Sequence, residues 1–415
     1  LTARLRILRW AVTLLAAVTA TACATGGGVP GTPRPHAAGP TAATTIPSPS
    51  ARSEAEEHAS AVASCVRASL TGMDERTRAG QLFVVGVPAT GPGPTESAVL
   101  GRYGLGGVFL VGRGRGGVDG VAHVADAVQR VGTAAAHGVG LFVAADQEGG
   151  EVQVLSGPGF SDMPSAAVQG RWPPDRLRAA ASQWGRELRA AGVNLNLAPV
   201  GDVLSARLGA ANAPIGRFDR AFGTDPATVA AHVTAFVQGM QDAGVATTVK
   251  HFPGLGRVTG NTDFSAGVTD AETSPNDPAL GPFGAAVRAG TTFVMSSSAT
   301  YPRLDPAHRA VFSPAALRGL VRGTLGFSGL IVSDDLGRAQ EVAAVPVGER
   351  AVDFLAAGGD VVLTADPNTV QPMVDAVVDR AHRDPGFADA VAASERRVLT
   401  AKADRGLLPC GAAPR

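Results

Sequence analysis

Thr247-Thr248-Val249-Lys250-His251-Phe252-Pro253-Gly254-Leu255-Gly256-Arg257-Val258-Thr259-Gly260-Asn261-Thr262-Asp263 reads as a strand running into a loop. The β-branched residues 247–249 favour extended backbone, and Pro253, Gly254 and Gly256 then end sheet pairing. Lys250 and His251 therefore fall at a strand end, where an α/β barrel keeps its chemistry. Lys250 and Lys402 are the two lysines among 36 Lys and Arg residues. A compact ammonium in a chain that otherwise uses arginine suits a point-charge hydrogen bond to a hydroxyl. The competing reading is that Lys250 and His251 merely cap the strand.

Working outward, strand-like apolar runs fall at 81–85, 107–111, 141–145, 194–198, 247–249, 292–295, 330–333 and 360–363. Between them lie segments with helical spacing, among them 121–134, 176–191, 226–243 and 314–325, and a helix around 55–69 precedes the first run. Continuous apolar strands alternating with helices imply a parallel sheet buried on both faces. Eight units in about 350 residues fit a single α/β domain, a (β/α)8 TIM-type barrel. An open doubly wound sheet is the alternative, but no Gly-x-Gly-x-x-Gly opens a helix to receive a dinucleotide. The Gly112-Arg113-Gly114-Arg115-Gly116-Gly117 run lacks the lysine and spacing of a phosphate loop and reads as a mobile barrel loop.

Acidic residues accumulate just after the runs, in Asp146-Gln147-Glu148-Gly149-Gly150, Pro199-Val200-Gly201-Asp202 and Ser333-Asp334-Asp335-Leu336. In a barrel these face the mouth. An acid after a strand also caps the following helix, the role expected of Asp335.

These segments, in order, resemble glycoside hydrolase family 3, in particular its bacterial β-N-acetylglucosaminidases, whose pattern at the fifth strand is Lys-His-Phe-Pro-Gly-His-Gly. The chain matches it except at Leu255, and Arg220-Ala221-Phe222-Gly223 resembles the family's Arg-Ser-Phe-Gly. The resemblance spans most of residues 70 to 400. It implies a cofactor-free, metal-free glycosidase acting on a carbohydrate, with Asp334 as nucleophile and Asp146, Arg220, Lys250 and His251 holding the sugar. Retaining hydrolysis needs one carboxylate to attack the anomeric carbon and a second group to protonate the leaving oxygen. Lys250, His251 and Arg220 are expected to keep Asp334 ionised.

The second group is where the chain departs from the family. The family places an Asp-Ser-His on the loop after the fifth strand, and the aligned residues here are Asn261-Thr262-Asp263. Asp263 is the expected acid/base, its pKa raised by desolvation and a neighbouring carboxylate. The competing reading makes Asp263 a solvated loop residue. Glu151 and Val154 stand where the family carries arginines, and Ser298 where it tends to have histidine, so a different sugar or aglycone is also open.

Arg4, Arg6 and Arg9 precede the apolar run 10–18 and then Ala20-Thr21-Ala22-Cys23, which reads as an export signal. The segment resembles a bacterial lipobox and, with the barrel, the cell-envelope lipoproteins of actinobacterial type in this family. The organisation expected is a lipoprotein-type signal peptide over 1–22, an Ala/Thr/Pro/Ser tether over 23–53 and a catalytic barrel over 54–415. Cys23 would carry the lipid that anchors the protein to a membrane, on the outer face of the cytoplasmic membrane or in the envelope. An ordinary signal peptide with an incidental Cys23 is the alternative. Cys65 and Cys410 are expected to form a disulfide joining the ends of the barrel domain, rather than two buried thiols. In the chain-entropy model so long a loop is worth about 4 to 5 kcal/mol.

The formal net charge of +0 suggests no nucleic acid partner. The resulting expectation is an exported retaining exo-β-N-acetylglucosaminidase acting on cell-wall muropeptides or related glycans. The rivals are a silent sugar-binding lipoprotein on the same barrel, or a β-glucosidase or phosphorylase of the family.

Overall fold

The computed structural model describes residues 49–410, so the expected signal peptide, Cys23 and most of the expected tether lie outside the described residues. Eight parallel strands close into a barrel: β1 (Phe83–Pro88), β2 (Gly107–Val111), β3 (Phe142–Ala145), β4 (Leu195–Asn196), β5 (Ala246–Phe252), β6 (Phe293–Ser296), β7 (Leu330–Asp335) and β8 (Val361–Thr364). Each strand pairs with its neighbours in chain order, and β8 closes on β1 through Phe83↔Val362, Val84↔Leu363 and Val85↔Thr364. The eight runs read from the sequence are these strands, and closure excludes the open sheet. A closed sheet has no edge left to protect.

The barrel is wrapped by α1 (Pro49–Thr71), α2 (Glu75–Gly80), α3 (Pro94–Tyr103), α4 (Gly117–Ala135), α5 (Pro174–Ala190), α6 (Pro226–Asp242), α7 (Gly281–Arg288), α8 (Val347–Ala357), α9 (Val370–Arg383) and α10 (Pro385–Ala403). Their boundaries follow from local chemistry. Asp225 and Asp384 accept the backbone N–H of Thr228 and Phe387, and each is followed by the proline that begins α6 or α10. In α4 the buried Val121, Val124, Ala125, Val128 and Gly132 recur at helical spacing, so one face packs inward. The segment expected as an α-helix at 314–325 instead winds as a π-helix over Ala315–Thr324, with Leu325 N donating to Leu320 O at 2.8 Å. Gly319 and Gly323 within it weaken the preference for regular α winding. Among the described residues no helix is long and apolar enough to cross a membrane.

The interior is filled from both ends. Phe142 on β3 and Phe293 on β6 belong to strands that do not neighbour each other, so their rings meet across the barrel, edge to face at 5.2 Å. Behind them, at the N-terminal end of the strands, the buried Lys402 donates to Gln81 Oε1 at 2.7 Å and lies 5.8 Å from the Phe142 ring. Burial, with no anionic partner among the described residues, pulls the Lys402 ammonium down to about 7. Nearby, Gly140 N donates to Leu407 O at 2.7 Å, which brings the segment after α10 under the barrel floor. There Cys410 is disulfide-bonded to Cys65 of α1, with Cα atoms 5.6 Å apart.

Lys250 and His251 fall near the end of the fifth strand, as expected, and the strand extends past the 247–249 run to Phe252 with a register shift between Val249 and Phe252. One local expectation is corrected. The Gly-rich run after β2 is tied down: Gly114 N donates to Val154 O at 2.9 Å, and Arg113 reaches the carbonyls of Glu151 and Gln153 at 2.8 Å each. A hairpin following β3 supplies those acceptors, and no feature of the run's own sequence signals it.

Candidate active site

At the C-terminal ends of the strands lies an open cavity of about 450 Å³, lined by residues of several strand ends and loops. Its floor begins with β3. After Asp146 the chain turns into a short hairpin in which Gln147–Gly149 pairs with Val152–Gln153. Asn196 of β4 fixes its base, accepting Gln147 N at 3.1 Å and donating to Gln147 O at 3.0 Å. The buried Glu148 is thereby held under the cavity.

Glu148 organises two cations. Arg220 donates from Nε and Nη2 to its two carboxylate oxygens at 2.9 and 2.8 Å, and Lys250 Nζ lies 2.6 Å from Oε1. Burial alone would raise the Glu148 pKa, but Arg220 and Lys250 outweigh it and hold the carboxyl at about 2. Lys250 also donates to Asp146 Oδ1 at 2.5 Å. Burial opposes the Lys250 charge, yet Asp146 and Glu148 together raise its pKa above that of a free lysine.

His251 is set by a second buried acid. Asp202 Oδ2 accepts from His251 Nδ1 at 2.8 Å, while Oδ1 accepts Leu255 N at 2.7 Å. A carboxylate only accepts, so Nδ1 carries the proton and Nε2 is left as an acceptor, 3.4 Å from Arg220 Nη2. The loop that follows β5 turns tightly here. A Cβ on Gly256 would lie 1.9 Å from Val203 O, so this close approach requires glycine.

Asp334 and Asp335 end β7 and take different positions. Asp335 accepts Gly337 N at 2.8 Å and Ala365 N at 2.9 Å, so it ties the turn after β7 to the end of β8. The helix-capping role expected of it is corrected, since the next helical segments start after Ala339 and Pro346 with no side-chain cap. Asp334 lines the cavity and accepts Asp335 N at 2.9 Å. Lys250, His251 and Arg220, expected to keep Asp334 ionised, are each hydrogen-bonded to Asp146, Glu148 or Asp202. A cation with a buried carboxylate 2.6 to 2.9 Å away has no reason to leave it.

Asp263 faces the same cavity from the loop after β5. Asn261 Oδ1 accepts Asp263 N at 2.9 Å, and the carbonyls of Thr262 and Asp263 accept the N–H groups of Glu341 and Gln340 at 3.0 and 3.1 Å. The loop is thus docked on the segment after β7. Asp263 is an exposed residue whose side chain lines the cavity, where the nearby protein partly desolvates it. This partial desolvation, followed by the charges of Asp334 and Asp335, pushes its pKa up to about 6 against the opposing pull of Arg220.

The six residues singled out as catalytic or sugar-holding, Asp334, Asp263, Asp146, Arg220, Lys250 and His251, all line this one cavity. Sequence reasoning passed over Glu148 and Asp202, the buried acids on which Arg220, Lys250 and His251 depend. Both stood in the quoted strand-end acids, and their signal was position after β3 and β4. What singles them out is complete burial, which a one-dimensional pattern does not report.

A closed parallel barrel with a carboxylate pair at its mouth, over a floor of paired cations, has the architecture of a glycoside hydrolase. Residues 75–401 match the glycosyl hydrolase family 3 N terminal domain, and the chain belongs to that family. It is 48% identical to the β-N-acetylhexosaminidase from Beutenbergia cavernae, whose crystal structure matches with a TM-score of 0.78 over 80% of this chain and 99% of that one. A β-hexosaminidase from Xanthomonas oryzae pv. oryzae is 35% identical over 308 residues, 72% of this chain and 88% of that protein. The solved structure of LpqI from M. tuberculosis, 31% identical, matches 80% of this chain and 94% of its own with a TM-score of 0.67.

Proposed function

We propose that this glycoside hydrolase is a retaining exo-β-N-acetylglucosaminidase that releases terminal N-acetylglucosamine from muropeptides or related glycans. One observation carries the reading: Asp263, with its pKa pushed to about 6, and Asp334 line the same cavity. Two carboxyl groups whose environments separate their roles are what double displacement requires. The β-hexosaminidase relatives support the sugar.

An Asp334 oxygen attacks the anomeric carbon as the bond to the leaving oxygen breaks, and Asp263 gives that oxygen its proton. The glycosyl ester of Asp334 is then opened by water, whose proton returns to Asp263, so the acid is restored and the configuration at C1 is retained. Asp146, Lys250, Arg220 and His251 hold the hydroxyls of the departing sugar ring. Their mutual hydrogen bonds fix them before substrate arrives, so little ordering remains to be done in the transition state.

We extend this reading to a protein held outside the cytoplasm by a lipid on Cys23. The support is the Arg4-to-Cys23 pattern, together with a disulfide of the kind that persists in oxidising compartments.

The test is hydrolysis of p-nitrophenyl β-N-acetylglucosaminide by the whole protein beside Asp334→Asn and Asp263→Asn, with and without azide. Loss of turnover in Asp334→Asn, and azide rescue of Asp263→Asn yielding the β-glycosyl azide, are the expected results. Retained turnover in Asp334→Asn, or an α-configured azide product, sinks the mechanism.

A further inference from the structure

Among the described residues three large apolar side chains are exposed, and Phe264 stands apart at 80% exposure against 39% for Val131 and 40% for Val168. It lines the active-site cavity and directly follows Asp263. The ring is presented by a built loop. Phe264 N donates to Asn261 O at 3.0 Å, Ser265 N to the same oxygen at 2.8 Å, and Val268 N to the buried Glu341 Oε2 at 2.8 Å. Glu341 is in turn bound by Arg309 Nε at 2.8 Å. A phenyl ring held in water at the rim of a polar cavity contributes nothing to the core and lies ready for an apolar partner.

We propose that Phe264 is the platform on which the leaving-group sugar ring stacks, making the enzyme selective for substrates whose aglycone is itself a pyranose. This rests on the glycosidase reading above. An acid that protonates the leaving oxygen sits on the aglycone side of the scissile bond, and the next residue in the chain is one Cα step of about 3.8 Å away. The sugar on the other side of that bond is the one assigned above to Asp146, Lys250, Arg220 and His251, which line the same cavity. A β-linked pyranose offers a face of axial C–H groups, which suits the electron-rich face of a phenyl ring. A short alkyl aglycone has no such face.

The experiment compares N,N′-diacetylchitobiose with methyl β-N-acetylglucosaminide, two substrates that both need acid assistance but differ in the aglycone ring. The unmodified protein is expected to show the higher kcat/KM on chitobiose. Phe264→Ala should lower that value at least tenfold, with less than a twofold change on the methyl glycoside and no change in Tm, while Phe264→Trp keeps the chitobiose activity. Equal losses on both substrates would mean that Phe264 acts only by placing Asp263, and equal efficiency of the unmodified protein on both would mean there is no aglycone platform. Either result overturns the proposal while leaving the glycosidase reading intact. An unmodified protein inert on both substrates and on the p-nitrophenyl glycoside overturns both.

Discussion

Glu148 accepts Arg220 through both of its carboxylate oxygens, Nε to Oε2 at 2.9 Å and Nη2 to Oε1 at 2.8 Å, although 72 residues separate the two. The pair is the base on which the sugar-holding groups stand. Its energy does not come from pairing alone, since two buried charges give up hydration that their attraction only partly restores. Its value is positional: Arg220 and Lys250 converge on one carboxylate and are held facing the cavity.

Glu148→Gln should therefore be costly. It leaves Arg220 and Lys250 as buried cations with less compensation, and removing one member of such a set typically costs about 3 to 5 kcal/mol. Urea unfolding of the variant at neutral pH is the check, and a loss under about 1 kcal/mol would show that the charges find other partners.

Asp202→Asn tests the tautomer of His251. An Asn amide turned to donate toward Nδ1 moves the proton to Nε2, where it meets the Arg220 donor 3.4 Å away. We expect kcat/KM to fall at least tenfold with an unchanged Tm, and the histidine nitrogen NMR signals to report the switched tautomer. Unchanged signals together with full activity would remove Asp202 from this role.

The Asp263 carboxyl fixes the alkaline side of the pH profile. It donates a proton in the first step, so kcat/KM should decline as pH rises through about 6, and Asp263→Asn should lack that limb. The sign for stability follows from the same shift. The folded carboxyl holds its proton more tightly than the unfolded one at 3.8, so ionisation weakens the fold between about pH 4 and 6 and by a constant amount above. Asp263→Asn should accordingly raise Tm at pH 7.5 and leave it unchanged at pH 3.5, as thermal unfolding at the two values would reveal.

Lys402 gives the opposite slope. Its pKa drops from 10.5 in the unfolded chain to about 7 when buried, so the unfolded state binds more protons between those values and stability rises with pH across that window. The rise is on the order of 5 kcal/mol. Lys402→Met should flatten it, read as Tm against pH from 7 to 10, and a variant that keeps the parent's slope would refute the assignment.

Much of this enzyme was legible in one dimension. Strands buried on both faces of a parallel barrel are apolar throughout, so the runs at 107–111, 141–145 and 330–333 announced themselves without any partner in view. Barrel chemistry collects at strand ends, so Asp146, Lys250, His251 and Asp334 could be named from position alone. The cysteines at 65 and 410 could be paired because no other candidate remained in the barrel domain. In each case the determining interaction was local, or the number of choices was very small.

Tertiary structure decided how these groups act on one another. Lys250 meets Asp146 across 104 residues and His251 meets Asp202 across 49, distances over which no periodicity carries information. The cations expected to keep Asp334 ionised stand on Glu148 and Asp146, and the Gly-rich loop expected to move is tied to the hairpin after β3. The Asp263 pKa depends on how far protein surrounds it and on how near Asp334 and Asp335 lie. Burial and charge proximity are properties of the closed barrel. They act through space at a few ångströms, and only folding brings residues so far apart in the chain within that range.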